Sequence, residues 1–360
     1  MKEIPLALSF DDVLLIPNYS DILPKETNVE TKLTKNITIK IPIISSPMDT
    51  VTESLMAIEM AKNGGVGVIH RNMDIKDQVR EVGKVKEVEP DSKSSKGKDG
   101  GLLVGAAVGV GEESFERVKK LIDSHVDFIV IDTSHGHSKR VIDFLKRVKD
   151  KFPDTPIISG NVVTGDGAMT LLEAGSDAIK VGIGVGSICT TRIVTGVGVP
   201  QFTAIVNVYE VAKEYNVPVI SDGGIRSSGD IVKAIGGGAD SVMIGSLLAG
   251  CDESPTELIE REGKKYKYYR GMGSLPAMKK GSADRYGEDG RVKMVPEGVE
   301  SLAPYRGKVK DVLFELVSGL RSGMGYVGAK TIEELKKKAK FYRITNMGLT
   351  EGKVHDVKEL

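Results

Sequence analysis

Short, almost unbroken apolar runs recur along the chain and end in glycine, serine or aspartate. They are IPIISSP (41–47), GVGVIH (65–70), LLVGAAVG (102–109), FIVIDTS (128–134), PIISGNV (156–162), AIKVGIG (178–184), PVISDGG (218–224) and SVMIGS (241–246). Runs without polar alternation suit strands buried on both faces of a parallel sheet. Between them, segments such as ESLMAIEMAKNG, EESFERVKKLIDSHV, SKRVIDFLKRVKDKF and SGDIVKAIGGGAD place apolar residues three and four apart, with charges opposite. That spacing predicts amphipathic helices. Eight strands alternating with helices predict an α/β fold, a (β/α)8 TIM barrel, forming a single domain over 1–360. A barrel of this kind builds its active site from the loops after the strands, so the polar ends of the eight runs should converge on one face.

Two segments break the alternation. DSKSSKGKDGG (91–101) has no apolar periodicity and reads as a short flexible linker. Residues 250–303 separate the eighth strand from its helix VKDVLFELVSGL, and a glycine-rich, charged insertion of that length at the rim reads as a finger or flap. The tail, 331–360, opens with the basic helical pattern TIEELKKKAKFYR and continues as an irregular polar end. GMGYVG (323–328) satisfies the dinucleotide fingerprint G-x-G-x-x-G, but it follows a helical stretch where that motif needs a strand. It reads as a helix-ending turn.

Charge and cysteine content narrow the function. Lysine plus arginine and aspartate plus glutamate number 50 each, so no net field favours nucleic acid or a membrane surface. The start MKEIPLALSFDDVLLIP lacks a signal peptide's basic head and long apolar stretch, and no run reaches the roughly 18 apolar residues of a spanning helix. Two cysteines make no disulfide framework, so a reducing, cytoplasmic setting is expected.

Gly223 and Gly224 in SDGGIRSSGD, and Gly245 and Ser246 in MIGSLLAG, follow the seventh and eighth strands, where barrels often hold phosphate on bare backbone N–H groups. A phosphorylated small molecule is the first inference. Cys189 sits past a strand end among glycines in KVGIGVGSICTTR, with Arg192 near enough in sequence to favour its thiolate, and reads as a nucleophile. Cys251 reads as packing. His135 and His137 in IDTSHGHS raise a metal-hydrolase reading, which lacks further ligands at the next strand ends. Asp132, Thr133 and Ser134 are better placed to hydrogen-bond a ribose or amide.

In order along the chain, SFDDVLLIP, SSPMDTVTE, VIDTSHGHS, GIGVGSICTTR, SDGGI, MIGSLLAG, YRGMGS and MVPEGVE resemble the inosine 5′-monophosphate (IMP) dehydrogenase family, from about residue 8 to the end. The resemblance implies a (β/α)8 barrel, a homotetramer, potassium as cation, and oxidation of IMP to XMP with NAD. Cys189 would attack C2 of the purine, and the resulting thioimidate would be hydrolysed by water activated at Arg285 and Tyr286, with Thr191 assisting. IMP would be held by Ser46, Met48, Ser187, Asp222, Gly223, Gly224, Gly245 and Ser246. Tyr269, Gly271, Met272 and Gly273 would close over it, with Glu297 at the base edge. NAD would contact Asp132, Thr133, Ser134, Asn161, Gly182, Ile183 and Gly184. Carbonyls of Gly184, Gly186 and Cys189 would hold the cation, with Glu351, Gly352 and Lys353 of a neighbouring copy. GMP reductase, the sister enzyme using NADPH, is the alternative, and a catalytically silent nucleotide-binding barrel is a third. Two departures stand out: DSKSSKGKDGG occupies the place of the family's paired regulatory modules, by natural absence or engineered joining, and Val185 stands where a proline is common.

Overall fold

In the computed structural model, residues 4–282 and 295–357 are described. All eight expected strands form, each inside its predicted run, and all pair in parallel into a closed barrel. In chain order these are β1 Ile43–Ser45, β2 Val66–Ile69, β3 Val104–Val108, β4 Phe128–Asp132, β5 Ile157–Val162, β6 Ala178–Val181, β7 Val219–Asp222 and β8 Ser241–Ile244. The outer helices are α1 Ser54–Lys62, α2 Ile75–Lys86, α3 Glu112–Asp123, α4 Lys139–Lys151, α5 Gly165–Glu173, α6 Gln201–Ala212, α7 Ser228–Gly236 and α8 Val309–Val327. The chain is therefore a (β/α)8 barrel.

Two apolar layers hold it. One lies between strands and helices; the other fills the lumen with residues such as Ile44, Val68, Phe128, Val130, Ile158, Ile220 and Met243. Burying one such side chain stabilises the fold by about 1.5–3 kcal/mol. Gly105 on β3 gives Phe128 its space, since a Cβ there would lie 2.3 Å from the ring. Below, a hairpin pairs Thr31–Lys32 with Thr38–Ile39 and adds Leu33, Ile37 and Ile39 to the lumen cluster. The Lys35 N–H bonds the Asp177 carbonyl, just before β6, so this hairpin plugs the end opposite the site.

The insertion after β8 contains a three-stranded antiparallel finger, β9 Leu258–Arg261, β10 Lys264–Arg270 and β11 Glu300–Pro304. Lys267 anchors it from a buried position by donating to the carbonyls of Cys251, Asp252 and Ser254 at 2.9–3.2 Å.

Three local expectations change. The 91–101 stretch is not a loose tether: Ser94 and Ser95 are buried, and Ser95 donates through its N–H to Ala61 and through its hydroxyl to Gly64. The tail helix stops at Lys338, and Phe341–Arg343 becomes a strand antiparallel to Val13–Leu15. The Phe341 ring packs 4.7 Å from that of Phe202. A short helix, Asn346–Glu351, also forms in the expected irregular end. In GMGYVG the first glycines belong to the last turns of α8, and Gly328 ends the helix in a left-handed conformation (φ +71°).

Candidate active site

Nearly continuous β-strand ends build a cavity on the upper face of the barrel. Ser46 and Met48 enter from β1, Asp132, Thr133 and Ser134 from β4, Asn161 from β5, Gly182, Ile183 and Gly184 from β6, and Asp222 and Gly223 from β7. Gly186, Cys189 and Thr191 continue from the loop after β6, while Tyr269, Gly271, Met272, Gly273 and Glu297 come from the finger side. The β5 contribution depends on a register shift between Gly160 and Val162. Bulges of this kind re-aim a side chain beside a site, and the side chain here is Asn161.

Cys189 is half-buried on a tight turn in which its N–H bonds the Gly186 carbonyl at 3.1 Å. Its Sγ lies 3.2 Å from Thr191 Oγ1, and that hydroxyl donates to Glu297 Oε2 at 2.8 Å. Glu297 belongs to the strand-like return of the insertion. The Thr190 N–H bonds the Glu297 carbonyl and the Val299 N–H bonds that of Ile188, both at 3.0 Å, so 297–299 docks directly on the cysteine loop. Arg192 does not point at the sulfur. Its guanidinium bonds the carbonyls of Ile183 and Val199, pinning the loop, although the attraction between its charge and Cys189 persists. Cys251 is fully buried, which pushes its thiol up to about 12 and fits a packing role.

The glycines here permit close approach. A Cβ on Gly182 (φ +145°) would lie 2.2 Å from the Asp222 carbonyl oxygen, and one on Gly223 (φ +93°) would lie 2.7 Å from Val185 Cγ2. Gly245 lies under the Tyr269 hydroxyl and Met48 Sδ, and Ser246 starts the short helix Ser246–Ala249. Tyr269 is buried, which drives its phenol pKa upward, while a hydrogen bond with Ser187 pulls it the other way. Gly224 faces Phe10 and Gln201. Glu351, Gly352 and Lys353 are exposed at the end of the Asn346–Glu351 helix, which packs against Phe10–Asp12 of the same chain. Arg285 and Tyr286 lie outside the described residues.

Sequence reading missed two features. Lys180, in the middle of an apolar run, is fully buried and bonds Asp132, Asn161 and Asp222. Asp49, beside Met48, pairs with Arg270, beside Tyr269, and accepts from Asn72 Nδ2 at 2.7 Å. This second group braces the β1 loop against the finger. A charge inside a doubly buried strand was the available signal for Lys180; nothing in the sequence marks the Asp49–Arg270 pair.

Residues 7–355 match the model of the IMP dehydrogenase / GMP reductase domain. Among similar proteins, the inosine-5′-monophosphate dehydrogenase of Cryptosporidium parvum is 52% identical over 390 positions, covering 99% of this chain and 97% of that protein. The inosine-5′-monophosphate dehydrogenase of Borreliella burgdorferi is 49% identical over 392 positions, covering 98% and 97%. That of Aquifex aeolicus is 43% identical over 474 positions, covering 99% and 97%. The longer third alignment means that the Aquifex relative carries internal sequence that this chain lacks, whereas the first two are close to it in length.

Proposed function

This chain belongs to the IMP dehydrogenase / GMP reductase family, and from that premise we propose that it oxidises IMP to XMP with NAD through a covalent Cys189 adduct, a step of guanine nucleotide synthesis. The observation that carries the proposal is the hydrogen-bonded line Cys189–Thr191–Glu297 at the mouth of the cavity. A cysteine beside a hydroxyl–carboxylate pair suits a two-stage reaction, with sulfur attack followed by release through water.

In the first stage the Cys189 sulfur adds to C2 of the purine, and the C2 hydrogen then leaves with its electron pair. NAD supplies the acceptor for that hydride, and the residues available to hold it are Asp132, Thr133, Ser134, Asn161, Gly182, Ile183 and Gly184. In the second stage water adds to C2, one of its protons passes to the protein, and the carbon–sulfur bond breaks to return the thiolate and XMP. Thr191 and Glu297 are positioned to take that proton, with Arg285 and Tyr286 of the flap as the expected main activators. Met48, Tyr269 and the 271–273 loop cover the base. Asp222 would meet the ribose, Gly223, Gly224, Gly245 and Ser246 would hold the phosphate, and Ser46 and Ser187 would add further contacts to IMP.

The cysteine loop also fits a monovalent cation, since Gly184, Gly186 and Cys189 offer neutral carbonyl oxygens on a turn opened by Gly184 at φ +73°. Three carbonyls leave a shell incomplete, and Glu351, Gly352 and Lys353 of another copy in a homotetramer would complete it. Among the described residues no helix is long and apolar enough to cross a membrane, and we place the enzyme in the cytoplasm.

The test is NADH formation from IMP and NAD. GMP reductase activity would instead appear as NADPH consumption with GMP, and a silent barrel would bind nucleotide without either.

A further inference from the structure

Lys180 is the sole charged residue in the β6 run AIKVGIG and is completely buried. Its ammonium reaches Asp222 Oδ2 at 2.5 Å, Asn161 Oδ1 at 2.5 Å and Asp132 Oδ1 at 3.0 Å. One nitrogen thus ties together β4, β5, β6 and β7 at the rim of the cavity. The same contacts orient Asn161: with Oδ1 on Lys180, its Nδ2 donates to the Gly182 carbonyl at 2.7 Å and to Asp222 Oδ2 at 2.9 Å. Asp222 Oδ2 therefore takes two donors. Among the described residues none donates to Oδ1, and the Asp222 side chain is 17% exposed into the cavity.

We propose that Lys180 is a positioning residue that holds Asp222 so that its second carboxylate oxygen accepts the cis-diol of the substrate's ribose. This rests on the IMP reading above. A carboxylate oxygen has two lone pairs, enough for two vicinal hydroxyls. Without the ammonium, Asp222 Oδ2 would keep only the Asn161 amide as donor, and Asp132 and Asp222 would be close like charges that repel. Asp222 would then lose its orientation.

Calorimetric binding of IMP, 2′-deoxy-IMP and 3′-deoxy-IMP to the full chain tests this without NAD or turnover. The wild type is expected to bind IMP about tenfold or more tighter than either deoxy nucleotide. Lys180→Met should bind IMP about tenfold weaker and discriminate by less than about threefold, while Lys180→Arg should stay within about threefold of the wild-type ratio. A folded Lys180→Met that keeps the wild-type ratio, or that weakens all three nucleotides equally, overturns the positioning role. A crystal structure of the wild type with IMP decides the matter even if Lys180→Met does not fold. The ribose hydroxyls belong on Asp222 Oδ1 with Oδ2 still on Lys180, and any other arrangement overturns the proposal. Ribose-dependent binding without NADH formation would sink the oxidation reading alone; NADH formation with an unaltered ratio in Lys180→Met would sink the Lys180 role alone.

Discussion

Replacing Thr191 by valine should separate the two chemical stages. Valine keeps the shape of threonine but removes the hydroxyl that lies 3.2 Å from Cys189 Sγ and donates to Glu297 Oε2 at 2.8 Å. The bond to the carboxylate is the stronger: hydrogen bonds to charged groups contribute about 1.5–3 kcal/mol, which converts to about a 10- to 150-fold slowing of the step that uses it. The sulfur contact is weak because sulfur is a poor hydrogen-bonding partner, and at about 0.5 kcal/mol its loss slows sulfur attack by only about two- to threefold. If Thr191 passes the water's proton to Glu297, the damage falls on hydrolysis. Rapid mixing with IMP and NAD should then show a near-normal burst of NADH followed by a steady state slowed by one to two orders of magnitude. A burst that slows as much as the steady state would place Thr191 in the first stage and refute the relay. An unchanged steady state would mean that the hydroxyl has no part in either.

Other expectations follow from the same geometry. Iodoacetamide at neutral pH should alkylate half-exposed Cys189 with loss of activity and spare Cys251, whose thiol burial holds near 12; equal labelling of both, read by peptide mass spectrometry, would contradict the assignment. Burial raises the Asp49 pKa, but hydrogen bonds from Arg270 and Asn72 outweigh it, so the folded value lies below the ordinary 3.8. The Asp49 contribution is thus complete above the unfolded pKa and is lost as pH falls through the folded one. Asp49→Asn should cost about 3 kcal/mol near neutrality, a gap in urea unfolding that is flat above about pH 5 and narrows below about pH 4; a gap constant to about pH 3 would contradict this. Exchanging potassium for tetramethylammonium should lower NADH formation about tenfold or more, reversibly, if loop carbonyls hold the cation; indifference to the exchange would remove that site.

The barrel was legible because each strand is buried on both faces and so reads as one apolar run, from IPIISSP to SVMIGS. The glycines and Cys189 were legible because they stand where those runs end. What escaped depends on partners far apart in sequence. Val13–Leu15 pairs with Phe341–Arg343 across almost the whole chain, and three residues carry no periodicity. The hairpin that closes the lumen has two-residue strands. Lys180 interrupts a hydrophobic run, and its meaning appears only when Asp132, Asn161 and Asp222 arrive from three other strands. The 91–101 stretch misled because its polar composition hid the backbone carbonyls of Ala61 and Gly64 that receive Ser95.

The central claim is a bond between one sulfur and the purine ring. Protein quenched in acid during turnover with IMP and NAD, digested and weighed, should carry a nucleotide's added mass on the peptide containing Cys189 and none on that containing Cys251. Turnover with no added mass on the Cys189 peptide at any quench time, or an adduct found on Cys251, would contradict the account.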